Sequence, residues 1–387
     1  MNNKFGIPFL RLRTALAVCS LICFPSCTAS QPKEEEKPST TPAEAVTDTI
    51  PTTLSLLFVG DLMQHQSQID AATRPGGFDY SASFRHVAEE IGKADIAVAN
   101  LECALGGKPY TGYPCFSAPD EFLNAIRHAG FDLLSTANNH CLDRGSKGGK
   151  RTIQLLDSLS LHHLGTYPDS ATQAQKHPLI VEEKGFKLAF IAYTYATNGI
   201  KATPPFRVNY IDEQNIRKDI GRAKAAQPDA IIALMHWGEE YHSMPSSAQR
   251  ELAEKMFAMG VTHIIGSHPH VVQPIEVRTD SLTGSRQLLV YSLGNFISGM
   301  SANKTDGGLM VRLTLEKEQQ QTRLKHTDYS LAWTLRPAHN PQKDYSLIPP
   351  SRIDSLQPSA QYLFRRFLKQ ARELFAEKNI GIEEKDI

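Results

Sequence analysis

The sequence predicts an α/β fold with a largely parallel core and some antiparallel additions. From Leu54 onward, short apolar runs of strand length alternate with amphipathic segments of helical period. Several of those runs stop on an Asp, Glu, Asn or His, as expected where strand ends converge on the ligand-binding edge of an α/β sheet. The composition, 387 residues with 41% apolar and 21% charged, is that of a globular chain with enough material for one large domain or two moderate ones.

Leu54 to Val59 reads as a strand ending in Gly60-Asp61. Ser83 to Lys93 has helical spacing through Phe84, Val87, Ala88 and Ile91. Asp95 to Ala99 is a strand ending in Asn100-Leu101-Glu102. A helix follows over Pro119 to Ala129, with Asp120 and Glu121 in its first turn and Gly130 as its stop. Phe131 to Ala137 is a strand ending in Asn138-Asn139-His140, and Gly148 to Leu159 is an amphipathic helix. Leu179 to Val181 and Leu188 to Tyr193 form a hairpin around Lys184-Gly185. A helix over Asp212 to Ala226 precedes a strand, Ala230 to Met235, ending in His236-Trp237-Gly238. Another helix, Ser246 to Met259, precedes a buried strand at Val261 to Ile265 that runs into Gly266-Ser267-His268-Pro269-His270. If His268 and His270 continue the strand they share one face, with Pro269 keeping its predecessor extended. Gln287 to Tyr291 and Leu309 to Leu315 are later strands, and Ser359 to Lys378 is a polar C-terminal helix.

The first residues carry Lys4, Arg11 and Arg13, a short apolar stretch over Ala15 to Cys23, then Phe24-Pro25-Ser26-Cys27. That stretch is too short to span about 30 Å of hydrocarbon, so it reads as an export signal. It resembles a bacterial lipoprotein signal in which Cys27 becomes the lipidated first residue, with Phe24 replacing the usual small aliphatic; an ordinary cleaved signal is the alternative. The following stretch, with Lys33-Glu34-Glu35-Glu36-Lys37 and then Pro, Ser and Thr, has too few large apolar residues to fold and reads as a tether. The expected organisation is a signal over 1–26, a tether over 27–53, a main domain over 54–325 and a C-terminal extension over 326–387 whose helix packs on the domain. Lys+Arg and Asp+Glu are equal at 41 each, without a basic cluster, so no nucleic-acid partner is expected. Cys103, Cys115 and Cys141 lie beyond the signal. Their spacing matches no zinc knuckle, which leaves packing or a Cys103–Cys115 disulfide.

Asp61, Glu102, Asn139 with His140, His236, and His268 with His270 each lie just past the end of a predicted strand. Singly, a strand-end Asp is usually a turn or cap, and a lone His a satisfied core or surface group. Together they make a mixed set of imidazoles, carboxylates and a neutral amide suited to zinc, manganese or iron. A carboxylate reached by two ions can bridge them and offset their repulsion.

The order of these residues resembles the CapA (poly-γ-glutamate synthesis, bacterial capsule) family, whose domain is related to calcineurin-like metallophosphoesterases. The matching blocks are Gly60-Asp61-Leu62-Met63; Asn100-Leu101-Glu102; Ala137 to His140 with Leu142-Asp143 and Gly145; His236-Trp237-Gly238 with Glu240-Tyr241; Gly266 to His270 with Val271 to Pro274; and Ser292 to Phe296. The resemblance implies a layered sandwich of two central sheets flanked by helices, holding one or two divalent ions. It implies Asp61 and His270 on one ion, Asn139, His236 and His268 on the other, Glu102 bridging, and His140 as general acid or stabiliser of transition-state charge. Two departures stand out. The first motif lacks the usual Asp-x-His, its nearest imidazole being His65, which reaches the metal if a helix starts at Gly60, contacts substrate, or does neither. Glu102 stands where phosphoesterases carry Asp. Asn138, Glu240 and Asn295 are candidates for substrate contact or for orienting a ligand. The resemblance implies a tethered, exported metal-dependent hydrolase acting on a phosphoester or on capsule or envelope material. The alternative is a non-catalytic accessory that binds polyanionic polymer through its metal site.

Overall fold

The computed structural model describes residues 51–281 and 283–387. Cys27, the expected signal and nearly all of the expected tether lie outside the described residues. In chain order come β1 (Thr52–Leu62), α1 (Gln66–Ala72), β2 (Ile96–Leu101), α2 (Asp120–His128), β3 (Leu133–Ser135), α3 (Gly145–Ser158) and β4 (His162–Leu164). The hairpin β5 (Leu179–Glu183) and β6 (Phe186–Thr194) leads to α4 (Glu213–Ala225), β7 (Ala230–His236), α5 (Ser247–Met259) and β8 (His263–Ser267). Then follow β9 (Ile275–Thr279), β10 (Arg286–Val290), β11 (Asn295–Ile297), β12 (Gly307–Glu318), β13 (Gln321–Leu335), β14 (Ser346–Ile348), α6 (Pro358–Lys378) and β15 (Glu383–Glu384).

The strands build two main sheets. The first has the order β14-β13-β12-β1-β2-β3-β4, with β11 also beside β1 and β15 beside β13. Its β1 to β4 half is parallel and its β12 to β14 half antiparallel. The second sheet runs β9-β10-β8-β7-β6-β5, parallel through β6, β7, β8 and β10 and antiparallel at both edges.

Side chains alternate along each strand and serve two cores. Leu54, Leu56, Phe58 and Val98 of the first sheet meet Phe190, Ile232, Leu234 and Ile265 of the second. The opposite faces are covered by helices: Leu57, Val59 and Ala97 pack with Phe122 and Ile126 of α2 and Leu156 of α3. Ile191, Ile231 and Met235 pack with Ile216 and Ile220 of α4 and Met256 of α5. With both faces buried, the strands need to be apolar throughout rather than alternating, which is why they read as continuous apolar runs. The result is the expected sandwich of two sheets flanked by helices. Its parallel halves send the ends of β1, β2, β3, β7 and β8 to the same edge.

Local chemistry sets the helix limits. Asp212 accepts a hydrogen bond from the Asn215 N–H at the start of α4, Ser246 and Gln249 form a capping box at α5, and Gly260 ends α5 at φ +103°.

Four expectations require correction. Of Ser83 to Lys93 only Ala88–Ile91 is helical, because Phe84 and Val87 are buried by a preceding turn in which the Val87 N–H bonds the Phe84 carbonyl. The C-terminal helix is amphipathic rather than polar: Phe364, Phe367, Leu368 and Phe375 of α6 are buried, and Phe364 stacks on Trp333 at 5.3 Å. The boundary expected at 325/326 falls inside β13, which pairs with β12 on both sides of a one-residue register shift at Lys325. That strand was illegible because His326, Thr327, Asp328, Ser330 and Thr334 interrupt its apolar residues. Finally, β8 ends at Ser267, and His268 and His270 have φ of +100° and +59°, so they do not share a strand face. They lie on a left-handed turn, a conformation costing of order 1–3 kcal/mol per residue that the surroundings must hold in place.

Candidate metal centre

Asp61 sits where β1 shifts register against β2, next to Gly60, and pairs in parallel with Asn295 of β11. A Cβ on Gly60 would lie 1.9 Å from the Gly294 carbonyl oxygen, so only glycine permits this approach. Gly266 is constrained in the same way, its Cβ falling 2.0 Å from the Tyr291 carbonyl oxygen and 2.6 Å from Trp237 Nε1. These two close contacts bring the end of β1 and the end of β8 to the edge where Glu102 follows β2 and His236 closes β7.

Two groups of possible ligand atoms result, each with its members within 4.8 Å of one another: Glu102 with His236 and His268, and Asp61 with Glu102 and His270. Glu102 belongs to both. Its Oε1 lies 3.6 Å from His236 Nε2 and 3.8 Å from His270 Nε2. Those separations are too long for hydrogen bonds but close to the roughly 3.4 Å between ligands that share one tetrahedral ion with bonds of about 2.1 Å. Asn139 joins the first group through a 2.9 Å contact between its Oδ1 and His236 Nε2. A third group places Glu240, which is not buried, with His268 and His270.

The site holds more electron pairs than protons to satisfy them. Asn100 Nδ2 has two hydrogens for three acceptors: Asp61 Oδ1 at 2.8 Å, His236 Nδ1 at 3.2 Å and Glu102 Oε2 at 3.5 Å. Glu102 Oε1 and His268 Nδ1 are buried with no hydrogen-bond partner. Among the described residues, the ion-pair partners of Asp61 and Glu102 are histidines alone. Burial, with Asp61 alongside, pushes the Glu102 carboxyl well above the usual range. Burial also holds His236 far below its ordinary value and His268 at about 3, so both imidazoles are neutral at neutral pH and each keeps a lone pair on one ring nitrogen. Buried acceptors that outnumber their donors fit a divalent ion.

Around this set, neighbours fix orientation. His270 Nδ1 lies 3.0 Å from Asn295 Oδ1 and 3.2 Å from Asp61 Oδ2, two acceptors that assign the proton to Nδ1 and leave Nε2 free. Asn295 is oriented in turn by donating to the Thr305 carbonyl at 2.8 Å. Asn138 donates to the Leu101 carbonyl at 2.8 Å and to Asn100 Oδ1 at 3.2 Å, tying the β3 loop to β2. His140 is buried, its Nδ1 2.8 Å from Asp143 Oδ2, which also accepts the Phe116 N–H at 2.8 Å. Phe116 packs edge-on against the His140 ring at 4.5 Å.

His65 is placed differently from the other histidines. No helix starts at Gly60. The strand continues to Leu62, and His65 is the N-cap of α1, its Nδ1 accepting the Gly299 N–H at 3.1 Å. Burial lowers its pKa to about 4, and it belongs to none of the ligand groups among the described residues. Among the described residues Cys103, Cys115 and Cys141 are free thiols, the first and last buried and Cys115 exposed. Four residues that sequence reasoning gave no role also meet the site: Asn100, Asp143, Asn198 and Tyr195. Asn198 Oδ1 accepts from Asn139 at 3.3 Å, and the Tyr195 ring lies 4.4 Å from His268. Asn100 and Asp143 stood inside recognised blocks, and Tyr195 follows the end of β6, so strand-end position was the available signal.

Residues 55–300 match the family model for the bacterial capsule synthesis protein PGA_cap. The chain belongs to this capsule synthesis family. Members similar to it include a capsule biosynthesis protein CapA of Bacillus anthracis, 30% identical over 276 residues, covering 68% of this chain and 64% of that protein. Another is a PGA biosynthesis protein CapA of Bacillus subtilis, 28% identical over 277 residues, covering 68% of each. The match thus spans a little under two thirds of the first relative's length. Solved structures that match include the NAD nucleotidase of Haemophilus influenzae, 13% identical, covering 87% of this chain and 65% of that one with a TM-score of 0.47. A calcineurin-like phosphoesterase of Bacillus subtilis is also 13% identical, covering 84% and 99%, with a TM-score of 0.43. All the site residues placed by this family's blocks, from Asp61 to Asn295, fall inside the matched span.

Proposed function

We propose that this member of the capsule synthesis family is a metal-dependent hydrolase of phosphoesterase type acting on cell-envelope or capsule material. The observation that carries the reading is Glu102: a fully buried carboxylate shared by two groups of ligand atoms, with Oε1 unpartnered. One group, Asp61, Glu102 and His270, would hold a first ion; Glu102, Asn139, His236 and His268 would hold a second. Bound manganese, zinc or iron would polarise a phosphoryl oxygen and make water a stronger acid. The chain's own residues supply the rest. Asn295 and Asp61 keep the His270 proton on Nδ1, and Asn139 adds an oxygen without adding charge. Asp143 holds His140 by Nδ1, so that Nε2 is the atom that gives a proton to the leaving oxygen.

Hydrolysis of an aryl phosphate by manganese-loaded protein, compared with His268→Ala/His270→Ala, tests the proposal. Loss of both metal and turnover in the double variant is expected; metal content unchanged by it would overturn the reading. Wild type that binds metal and poly-γ-glutamate yet hydrolyses no ester would establish the accessory role instead. The basic and apolar leader ending at Cys27 supports export and lipid anchoring outside the cytoplasm. Cys27→Ser is expected to move the protein from the detergent phase to the aqueous phase of a Triton X-114 partition, and an unchanged distribution would contradict anchoring. Among the described residues no helix is long and apolar enough to cross a membrane.

A further inference from the structure

Three loops each present a tyrosine at the edge of the metal centre. Tyr113 is 71% exposed with its ring 6.4 Å from His140, Tyr195 is 44% exposed and 4.4 Å from His268, and Tyr241 is 53% exposed and 6.2 Å from His270. Each loop is pinned. The Tyr195 N–H bonds the His236 carbonyl at 3.1 Å, and the Tyr241 N–H bonds the Pro269 carbonyl at 2.8 Å. The loop of Tyr113 lies so close to α1 that a Cβ on Gly112 would fall 2.2 Å from the Gln66 nitrogen. Exposed rings on pinned loops beside one set of clustered histidines are the usual mark of a recognition surface, since an aromatic face gains little by meeting water. Charge narrows the choice of occupant. Glu240 offers a carboxylate oxygen within 4.8 Å of ring nitrogens of His268 and His270, the two imidazoles that Tyr195 and Tyr241 adjoin. A run of carboxylates would pass a like charge at this mouth, whereas an uncharged ring would not.

We infer that Tyr113, Tyr195 and Tyr241 form a rim that binds the ring of a phosphoester, a planar or pyranose ring one ester bond from the phosphoryl group, rather than an extended polyanion. The inference rests on the proposed phosphoryl chemistry and adds the class of leaving group. Binding of the phosphoryl group at the ions leaves the ring on the far side of the ester oxygen, between tyrosine faces at the centroid spacing of about 4.5–7 Å at which aromatic pairs attract.

Calorimetric titration of the manganese-loaded full chain with non-hydrolysable phosphonates tests this without turnover. Phenylphosphonate and a hexose-derived phosphonate supply the two kinds of ring, and methylphosphonate supplies none. Wild type is expected to bind at least one ring phosphonate about tenfold more tightly than methylphosphonate, and which of the two identifies the ring. Tyr113→Ala and Tyr241→Ala should each cut that preference by about two- to tenfold, the size of one aromatic contact. The preference is a ratio within one protein, so a general disturbance of the centre cancels. Equal affinity for ring and methyl phosphonates, or a preference unchanged in both variants, would overturn the rim while leaving the phosphoryl reading standing. Binding of none of the three would overturn both.

Discussion

Replacing Glu102 with Gln keeps the shape of the side chain and removes its charge, so metal-free and metal-loaded protein should respond in opposite directions. Without metal, Glu102 is buried beside Asp61 with Oε1 unpartnered, and its carboxyl is raised above the ordinary 4.5. An acid whose folded pKa exceeds its unfolded value contributes stability that is full below about pH 4.5 and lost as pH rises toward neutrality. Metal-free wild type should therefore lose stability over that rise, and metal-free Glu102→Gln should melt higher than wild type at pH 7. With metal the order reverses. Manganese at 100 times its Kd stabilises the native state by about 2.7 kcal/mol. Unfolding entropy for a unit the size of Thr49–Ile387 is roughly 0.7 kcal/mol per kelvin, which makes the expected rise in Tm about 4 °C. If the amide weakens binding 100-fold, the same metal concentration gives about 0.4 kcal/mol, a shift under about 1 °C. Differential scanning fluorimetry of both proteins with and without manganese at pH 5 and 7 reads all eight melting temperatures. Equal metal shifts in the two proteins, or a metal-free variant less stable than wild type, would refute the argument that Glu102 is an uncompensated charge shared by the ions.

Asp143→Asn should lower kcat for an aryl phosphate by about 10²-fold with metal content unchanged, because His140 loses the carboxylate on Nδ1; full activity would remove His140–Asp143 from the proton path. Gly266→Ala forces a Cβ against the Tyr291 carbonyl and Trp237, so a loss of at least about 2 kcal/mol in urea unfolding and weaker metal binding are expected together. A stable variant with normal metal content would show that the turn after β8 is not held by this contact. His263 is buried, its Nδ1 accepting the Leu288 N–H at 3.1 Å, and burial lowers its pKa to about 3. A histidine with a depressed folded pKa contributes stability present above 6.5 and lost as pH falls toward 3. His263→Gln should therefore flatten the acid limb between pH 6.5 and 4 by up to one proton, about 1.4 kcal/mol per pH unit, and an unchanged slope would contradict it.

Strand ends carried most of what could be read in advance. Continuous apolar runs fixed the positions of β1, β2, β7 and β8, and the polar residue closing each run proved to face one edge because the parallel halves of both sheets point there. What the runs did not reveal depends on contacts distant in sequence. The length of β13 was masked by its polar residues, of which Thr327, Asp328, Ser330 and Thr334 are buried once the strand pairs with β12. The left-handed backbone at His268 and His270 is imposed by neighbours such as the Tyr241 loop, not by local propensity. A metal role for His65 requires a helix from Gly60, and none forms there because β1 pairs on through Leu62. Asn100 went unassigned because an amide between two carboxylates and an imidazole gains its meaning only once all three are brought together.

The central claim is that Glu102 stands between two divalent ions at the shared strand edge. A crystal of the protein grown with manganese, measured at a wavelength where manganese scatters anomalously, tests it most directly. Two anomalous peaks flanking the Glu102 carboxylate, one beside Asp61 and His270 and the other beside His236 and His268, are predicted. No peak at this edge at saturating manganese, or a peak that leaves Glu102 uncoordinated, would contradict the account.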